Sequence, residues 1–439
     1  MRDLREVTKG LRLRRRLRLR EKSLGCGYGC ILTALLFFAS PLPAADWPWF
    51  LGPNYDGISK ETGLLKTWPA EGPPIIWRRK LGSSYAPPSA AGDDLLLFHR
   101  IGNEEIVECI SPNDQKLKWK FAYPTSYRDM YGYSNGTRCQ PIITKEHVFT
   151  FGAEGKLHCL NRKTGEKVWG RDLNSEYKVE QNFFGVGGAP LLEGDLLLIN
   201  IGGEGAGVVA LDHRTGKTVW KATDDGASYA SPVCATINGK RLAIFFTRSG
   251  LVVTDVKTGV VQSTAKFRSR THESVNGANP VVVGDQVLLS AAYRTGAVLL
   301  KVKPDSVQEV WKSMVLMTHW ATPIYLDGYV YGCSGRHRSN ASIRCVEFKT
   351  GELIWEREDS DRFNMLRADG RFIILTEAGV LVLAEMSPDG YKEISRTSKP
   401  ILRYPCYAPP ILAKGKLYVR DETQVLCLDL REKKASEGE

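Results

Sequence analysis

The stretch Ala210-Leu211-Asp212-His213-Arg214-Thr215-Gly216-Lys217-Thr218-Val219-Trp220 decides the architecture, because the chain repeats it. Residues 159–169 and 345–355 carry the same small residue, acid or amide, Thr-Gly pair and tryptophan at the same spacing. Residues 253–259 keep Thr258-Gly259 but have Ser263 where the tryptophan would stand, and residues 109–119 end in Trp119 without the Thr-Gly pair. Ahead of the copies stand Gly188-Ala189-Pro190, Ala230-Ser231-Pro232, Ala278-Asn279-Pro280, Ala321-Thr322-Pro323 and Ala408-Pro409. A period of ~40–50 residues holding four short strands is the mark of a β-propeller, since one four-stranded blade cannot bury both its faces alone.

Blade openings fall at Pro87, Pro141, Pro190, Pro232, Pro280, Pro323, near Leu366, and at Pro409. The eighth unit ends without an outer strand bearing a tryptophan, while Ile75-Ile76-Trp77 stands as a surplus strand before the first opening. The expected fold is therefore all-β: an eight-bladed propeller of four-stranded antiparallel blades over residues 75–430, its ring closed by the N-terminal strand. Closure removes the sheet edge that would otherwise template aggregation. Within a repeat, Gly216 supplies the positive φ of a tight turn and Asp212 accepts backbone hydrogen bonds from that turn, with Thr215 between them. Trp77, Trp119, Trp169, Trp220, Trp311 and Trp355 are expected to press against neighbouring blades, each indole N–H finding a carbonyl.

Residues 1–23 hold ten basic and three acidic residues, which is +7 of the chain's +11. Residues 24–45 have no charge, and Ile31 to Phe38 form a short apolar core ahead of Ala39-Ser40-Pro41-Leu42-Pro43-Ala44-Ala45. That order reads as a signal peptide over 1–45, for export to the periplasm, cell envelope or exterior, with an uncleaved N-terminal anchor as the alternative. A lead-in (46–74), the propeller and a polar tail (431–439) would follow. The nearly balanced body argues against nucleic-acid binding. Cys109, Cys159, Cys345 and Cys427 share the repeat position of Ala210 and read as small core residues. Cys139, Cys234, Cys333 and Cys406 lie near blade openings, where pairing is left open.

These repeats resemble the pyrroloquinoline-quinone-like propeller family, on the Ala-x-Asp-x-x-Thr-Gly-Lys-x-x-Trp unit met in full by residues 210–220. The lead-in Asp46-Trp47-Pro48-Trp49-Phe50-Leu51-Gly52-Pro53-Asn54-Tyr55-Asp56-Gly57 is similar to the opening of secreted bacterial members. The resemblance implies one of two functions. One branch comprises quinoprotein alcohol or sugar dehydrogenases, which hold pyrroloquinoline quinone and calcium in the channel; in another, the ring binds protein partners. Adjacent cysteines and a Cys-x-x-Cys-His haem site, typical of the dehydrogenases, are absent from this sequence.

Loops entering the innermost strands and loops joining second to third strands emerge together around the channel, and function collects on such loops. Here they carry Arg138, Asn182, Glu273, Asn276, His319, Trp320, Arg336 and His337. His319 beside Glu273 is a conceivable general base. Glu273, Asn276 and Asn279 are oxygen ligands of the kind calcium takes. Arg138, Arg248, Arg294 and Arg336 suit a carboxylate-rich ligand. No Ser-His-Asp or phosphate-loop pattern accompanies them. The reading is a monomeric, exported propeller that binds a small-molecule ligand or a protein partner through this polar face. The alternative is the quinone-dependent dehydrogenase, in which Arg138, Glu273, His319, Arg336 and His337 share one site.

Overall fold

The computed structural model describes residues 45–180, 183–358 and 361–432; the signal-peptide reading and Asn182 lie outside them. Blade three shows how the sequence builds each unit. Its first strand, Leu191–Glu193, is short, and the middle strands Leu196–Gly203 and Ala206–Asp212 are mostly buried, being covered on both faces. The outer strand Thr218–Ala222 exposes most of its residues while Trp220 is buried. Eight such four-stranded sheets form the molecule, as the period requires. In the eighth, Ile411–Ala413, Lys416–Arg420 and Gln424–Asp429 are completed by Ile75–Lys80, antiparallel to Gln424–Asp429 with Trp77 opposite Cys427. The N-terminal strand closes the ring.

The apolar core lies between blades and not on the axis. Successive buried clusters join blades one to two, two to three, and so on through five to six and six to seven, and one larger cluster joins seven, eight and one. The repeat motif is the clamp at these seams. Asp212 Oδ1 accepts from the backbone N–H groups of Arg214 and Thr215 and from the Thr215 hydroxyl, fixing the turn in which Gly216 has φ +72°. A Cβ on Gly216 would meet the Trp169 ring of the preceding blade at 2.8 Å, so both the conformation and the close approach require glycine there. Trp169 Nε1 donates to His213 O, beside that same turn, at 3.1 Å. Equivalent bonds run from Trp77 to Pro112 O, Trp119 to Arg162 O, Trp220 to Val256 O, Trp311 to Phe348 O and Trp355 to Ser387 O.

Register places Ser263 and Ser395 where the other blades have their tryptophan, opposite Val253 and Leu383. Behind Ser395 the lead-in supplies an indole of its own: the Trp68 backbone N–H donates to Ser395 Oγ at 3.0 Å, and the Trp68 ring is buried in the cluster of blades seven, eight and one. All eight described cysteines are free, Cys109, Cys159, Cys345 and Cys427 buried at the repeat position.

The lead-in does more than precede the ring. Trp47 bridges Ala90 of blade one, Pro48 O accepts from Ile143 of blade two, and Tyr55 Oη donates to Leu192 O of blade three. The chain then reaches the opposite side, where Ser59 N–H donates to Arg367 O of blade seven and the Glu61 carboxylate takes the N–H groups of Lys414 and Gly415 in blade eight. These partners sit beside the turns joining first to second strands, which alternate in direction with the entering loops. The segment therefore passes across the end of the channel away from those loops.

Candidate functional site: the channel mouth

At the other end, the loops around the channel divide into neutralised and unneutralised halves. Arg138 is held by a carboxylate: its Nη2 meets Asp129 Oδ2 at 2.6 Å, and the Asp129 side chain is fully buried. Arg138 also donates to Gly136 O and Ser134 O and lies 5.3 Å from the Tyr127 ring. Asp129 Oδ1 accepts from the N–H groups of Tyr131 and Tyr133, and Arg100 Nη1 donates to Tyr127 O and Asn135 O. This buried network makes a rigid loop of residues 125–138. Its tip leaves Met130, Tyr131 and Tyr133 exposed.

From that tip an aromatic ridge crosses the mouth. Tyr131 packs on Phe183 and Phe184 at 6.0 and 5.5 Å, Phe184 on Tyr229 at 5.6 Å, and Phe183 on His272 at 5.7 Å. A second run joins Tyr85, Tyr407, Trp320, His319 and Tyr293 at centroid distances of 5.0 to 5.4 Å. Trp320 carries Arg362 over its ring at 4.3 Å, and Tyr293 carries Arg336 at 4.2 Å.

His319 is fixed chemically as well as sterically. Arg362 binds the buried Glu377 carboxylate through Nε and Nη2, at 2.7 and 2.5 Å, and its Nη1 lies 3.2 Å from His319 Nδ1. A guanidinium has no acceptor, so Nδ1 must accept and the ring proton sits on Nε2, which faces Tyr293 Oη at 3.1 Å. Burial first, then Arg362, Arg336 and His337, push the imidazole down to about 3. A neutral histidine whose lone pair is engaged by a guanidinium is a poor general base.

The structure brings His319, Trp320, Arg336 and His337 into one neighbourhood, which Arg138 joins only through Tyr85, 6.0 Å from its guanidinium, and Glu273 makes no ion pair with His319. Arg138 belongs to the rigid loop, because Asp129 lies nine residues away on the same segment. Glu273 is exposed and makes no ion pair with another described residue, so it is not a partner of His319. Asn276 is structural, its Nδ2 donating to Thr247 O at 2.8 Å, and Asn279 Oδ1 is occupied by Ser231 N–H at 2.8 Å. Asn276 Oδ1 is buried without a partner, but Asn279 Oδ1 is taken and Glu273 is exposed, so two of the three expected oxygens are not offered to one buried centre. Among the described residues, no group of three or more His, Cys, Asp or Glu side chains could hold a metal ion. The expected arginine clamp loses Arg138, which is consumed by Asp129, while Arg248 and Arg336 lie over the rings of Phe183 and Tyr293 and make no ion pair with another described residue. The mouth does not fit a quinone with calcium. Sequence reasoning missed Arg362, Asp129 and Tyr407; the blade-seven opening that carries Arg362 lacks the proline marking the others.

With this geometry established, likeness to known proteins places the chain. Residues 102–357 match the PQQ_2 family model, described as outer membrane protein assembly factor BamB, and the chain belongs to that family. The outer membrane protein assembly factor BamB of Moranella endobia is 22% identical, over 72% of this chain and 82% of its own. Among solved structures, BamB from Moraxella catarrhalis covers 82% of this chain and 98% of its own at 17% identity and TM-score 0.58. A europium-containing methanol dehydrogenase covers 85% and 89% at 12% identity and TM-score 0.62. At such identities both structures speak to fold alone.

Proposed function

We propose that this protein is an exported binding propeller that holds a protein partner on its channel mouth. The observation carrying the reading is the loop 125–138. A buried ion pair and a further buried arginine are spent on fixing it, yet what it presents to solvent is Met130, Tyr131 and Tyr133. Rigid aromatic side chains on an exposed, ordered platform are the composition of protein-binding hot spots. The family described as an outer membrane protein assembly factor supports a role in the cell envelope, and the basic leader followed by an apolar core supports export. The dehydrogenase reading has a shared fold and a short sequence likeness behind it, 27% identity to a quinohemoprotein alcohol dehydrogenase of Pseudomonas putida over 28% of this chain, against a mouth whose histidine is engaged by Arg362.

The test compares capture from an envelope extract of the native host by the immobilised protein, by Tyr131→Ala/Tyr133→Ala, and by Val219→Ala on the outer wall. A discrete protein retained by the parent and the wall variant but lost from the mouth variant, at equal melting temperature, is expected. Equal retention by all three contradicts the reading. So does alcohol oxidation by the parent that requires added pyrroloquinoline quinone and calcium.

A further inference from the structure

The unneutralised half of the mouth spans blades four to six. Residues 247–249, 267–280, 292–295, 314–323 and 335–341 hold six arginines and a single carboxylate, Glu273. Arg338 is paired with Asp361. Arg248, Arg268, Arg270, Arg294 and Arg336 make no ion pair with another described residue, in contrast to Arg138 and Arg362, each of which faces a fully buried carboxylate.

Two of these five are brought together with no anion between them. Arg248 Nη2 and Arg268 Nη2 both donate to one neutral acceptor, His272 O, at 2.8 and 3.2 Å. Arg248 is packed along Gly226 and stacked 5.3 Å from Phe183, so its guanidinium is oriented while most of its five donors stay unused. Two like charges sharing a carbonyl repel each other, and partial burial makes the repulsion cost more than in open water. On the same loop the Ser274 hydroxyl, buried, has no hydrogen-bond partner. A carboxylate would accept both guanidinium forks and relieve the repulsion. The second station, Arg336 over Tyr293, adjoins this loop, since Tyr293 O accepts from Ser269 Oγ next to Arg268, so a ligand with several acidic groups along a chain can engage both.

We infer that this arc receives an acidic peptide segment with an apolar residue beside its acidic block. The apolar requirement comes from continuity: Phe183, which lies under Arg248, is the same ring that packs on exposed Tyr131. An apolar side chain seated on the Tyr131–Phe183 ridge places the next residues of its chain at the Arg248–Arg268 pair. The inference rests on the proposed binding role of the mouth and specifies the chemistry of what it binds.

The experiment titrates a fluorescein-labelled peptide of four glutamates following a Phe-Leu pair into the full chain, read by anisotropy. Comparison peptides replace the glutamates by lysine or the Phe-Leu pair by alanine. Binding of the acidic peptide should weaken about tenfold or more in Arg248→Gln/Arg268→Gln, in keeping with the strength of charge-assisted hydrogen bonds. It should weaken also with added salt, and on losing Phe-Leu. Arg270→Gln/Arg294→Gln, at two exposed residues, provides a second variant whose folding the melting temperature checks. It should lose affinity by a smaller factor at an unchanged melting temperature.

No detectable binding of the acidic peptide overturns the inference, as does equal affinity for the lysine peptide or in the Arg248→Gln/Arg268→Gln variant. Equal affinity without Phe-Leu, or displacement of the peptide by tripolyphosphate at equal charge concentration, overturns it in favour of a site that reads charge alone. Loss of partner capture in Tyr131→Ala/Tyr133→Ala but not in the arginine variants leaves the proposed function standing and removes only the acidic-peptide inference.

Discussion

Gly216 and Trp220 show what the repeat is for. Gly216 sits at φ +72° against the Trp169 ring, so Gly216→Val combines a strained backbone with a displaced indole. Trp220→Ala empties the seam above Gly259 and abandons a carbonyl. Urea unfolding should show a loss of about 3–5 kcal/mol for Trp220→Ala and a comparable loss for Gly216→Val, with partner affinity in the folded fraction unchanged for both. Selective loss of binding at unchanged stability would mean that the motif is functional. His319 is a different kind of residue. Folded, it stays neutral down to about 3, held there by burial, Arg362, Arg336 and His337; unfolded, it takes a proton near 6.5. Below 6.5 the unfolded chain binds more protons, so this group's contribution is complete above that pH and is lost as the pH falls towards 3. Stability should drop less steeply between pH 7 and pH 4 in His319→Gln than in the parent; parallel slopes would show that the imidazole is not held neutral.

Among the elements, the loop 125–138 and the lead-in carry the functional geometry, and neither was fully legible. The loop's polar and aromatic composition was visible from Tyr131 to Arg138. What could not be read was that Asp129 consumes Arg138 and caps Tyr131 and Tyr133, since an ion pair folded back on one loop has no periodic signature. Arg362 was hidden for a related reason: its pairing to Glu377 and to His319 joins separate segments, and spacing in the chain does not measure distance across a ring. Asp129→Ala leaves Arg138 without its carboxylate in a mostly buried setting, a change that costs about 3–5 kcal/mol where it has been measured for buried pairs. Limited proteolysis should then cut between residues 128 and 136 markedly faster than in the parent. An unchanged cleavage rate would show that the loop does not depend on this pair.

For the whole molecule, blade number and ring closure were legible because each seam needs the same parts: a turn glycine, an indole and a run of buried strands. The eighth blade advertised its missing strand, and Trp77 was the only candidate tryptophan before the first opening that stood on a β-type run. The path of residues 45–65 across the channel end was not legible, because the segment belongs to no repeat and its partners lie in blades one to three and six to eight. Deleting residues up to Arg79 removes both the closing strand and this crossing segment. It should cost several kcal/mol and yield soluble aggregates through the exposed edge of blade eight. A truncated chain that melts like the parent would deny that closure matters to stability.

The central claim is that the protein works by presenting its channel mouth to another protein. A photo-crosslinking amino acid placed singly at Tyr131 and Tyr133 on the mouth, and at Val219 on the outer wall, tests it in the native host. One discrete crosslinked protein should appear from the mouth positions and none from the wall. Crosslinks from the wall alone, or from neither surface, would contradict the account.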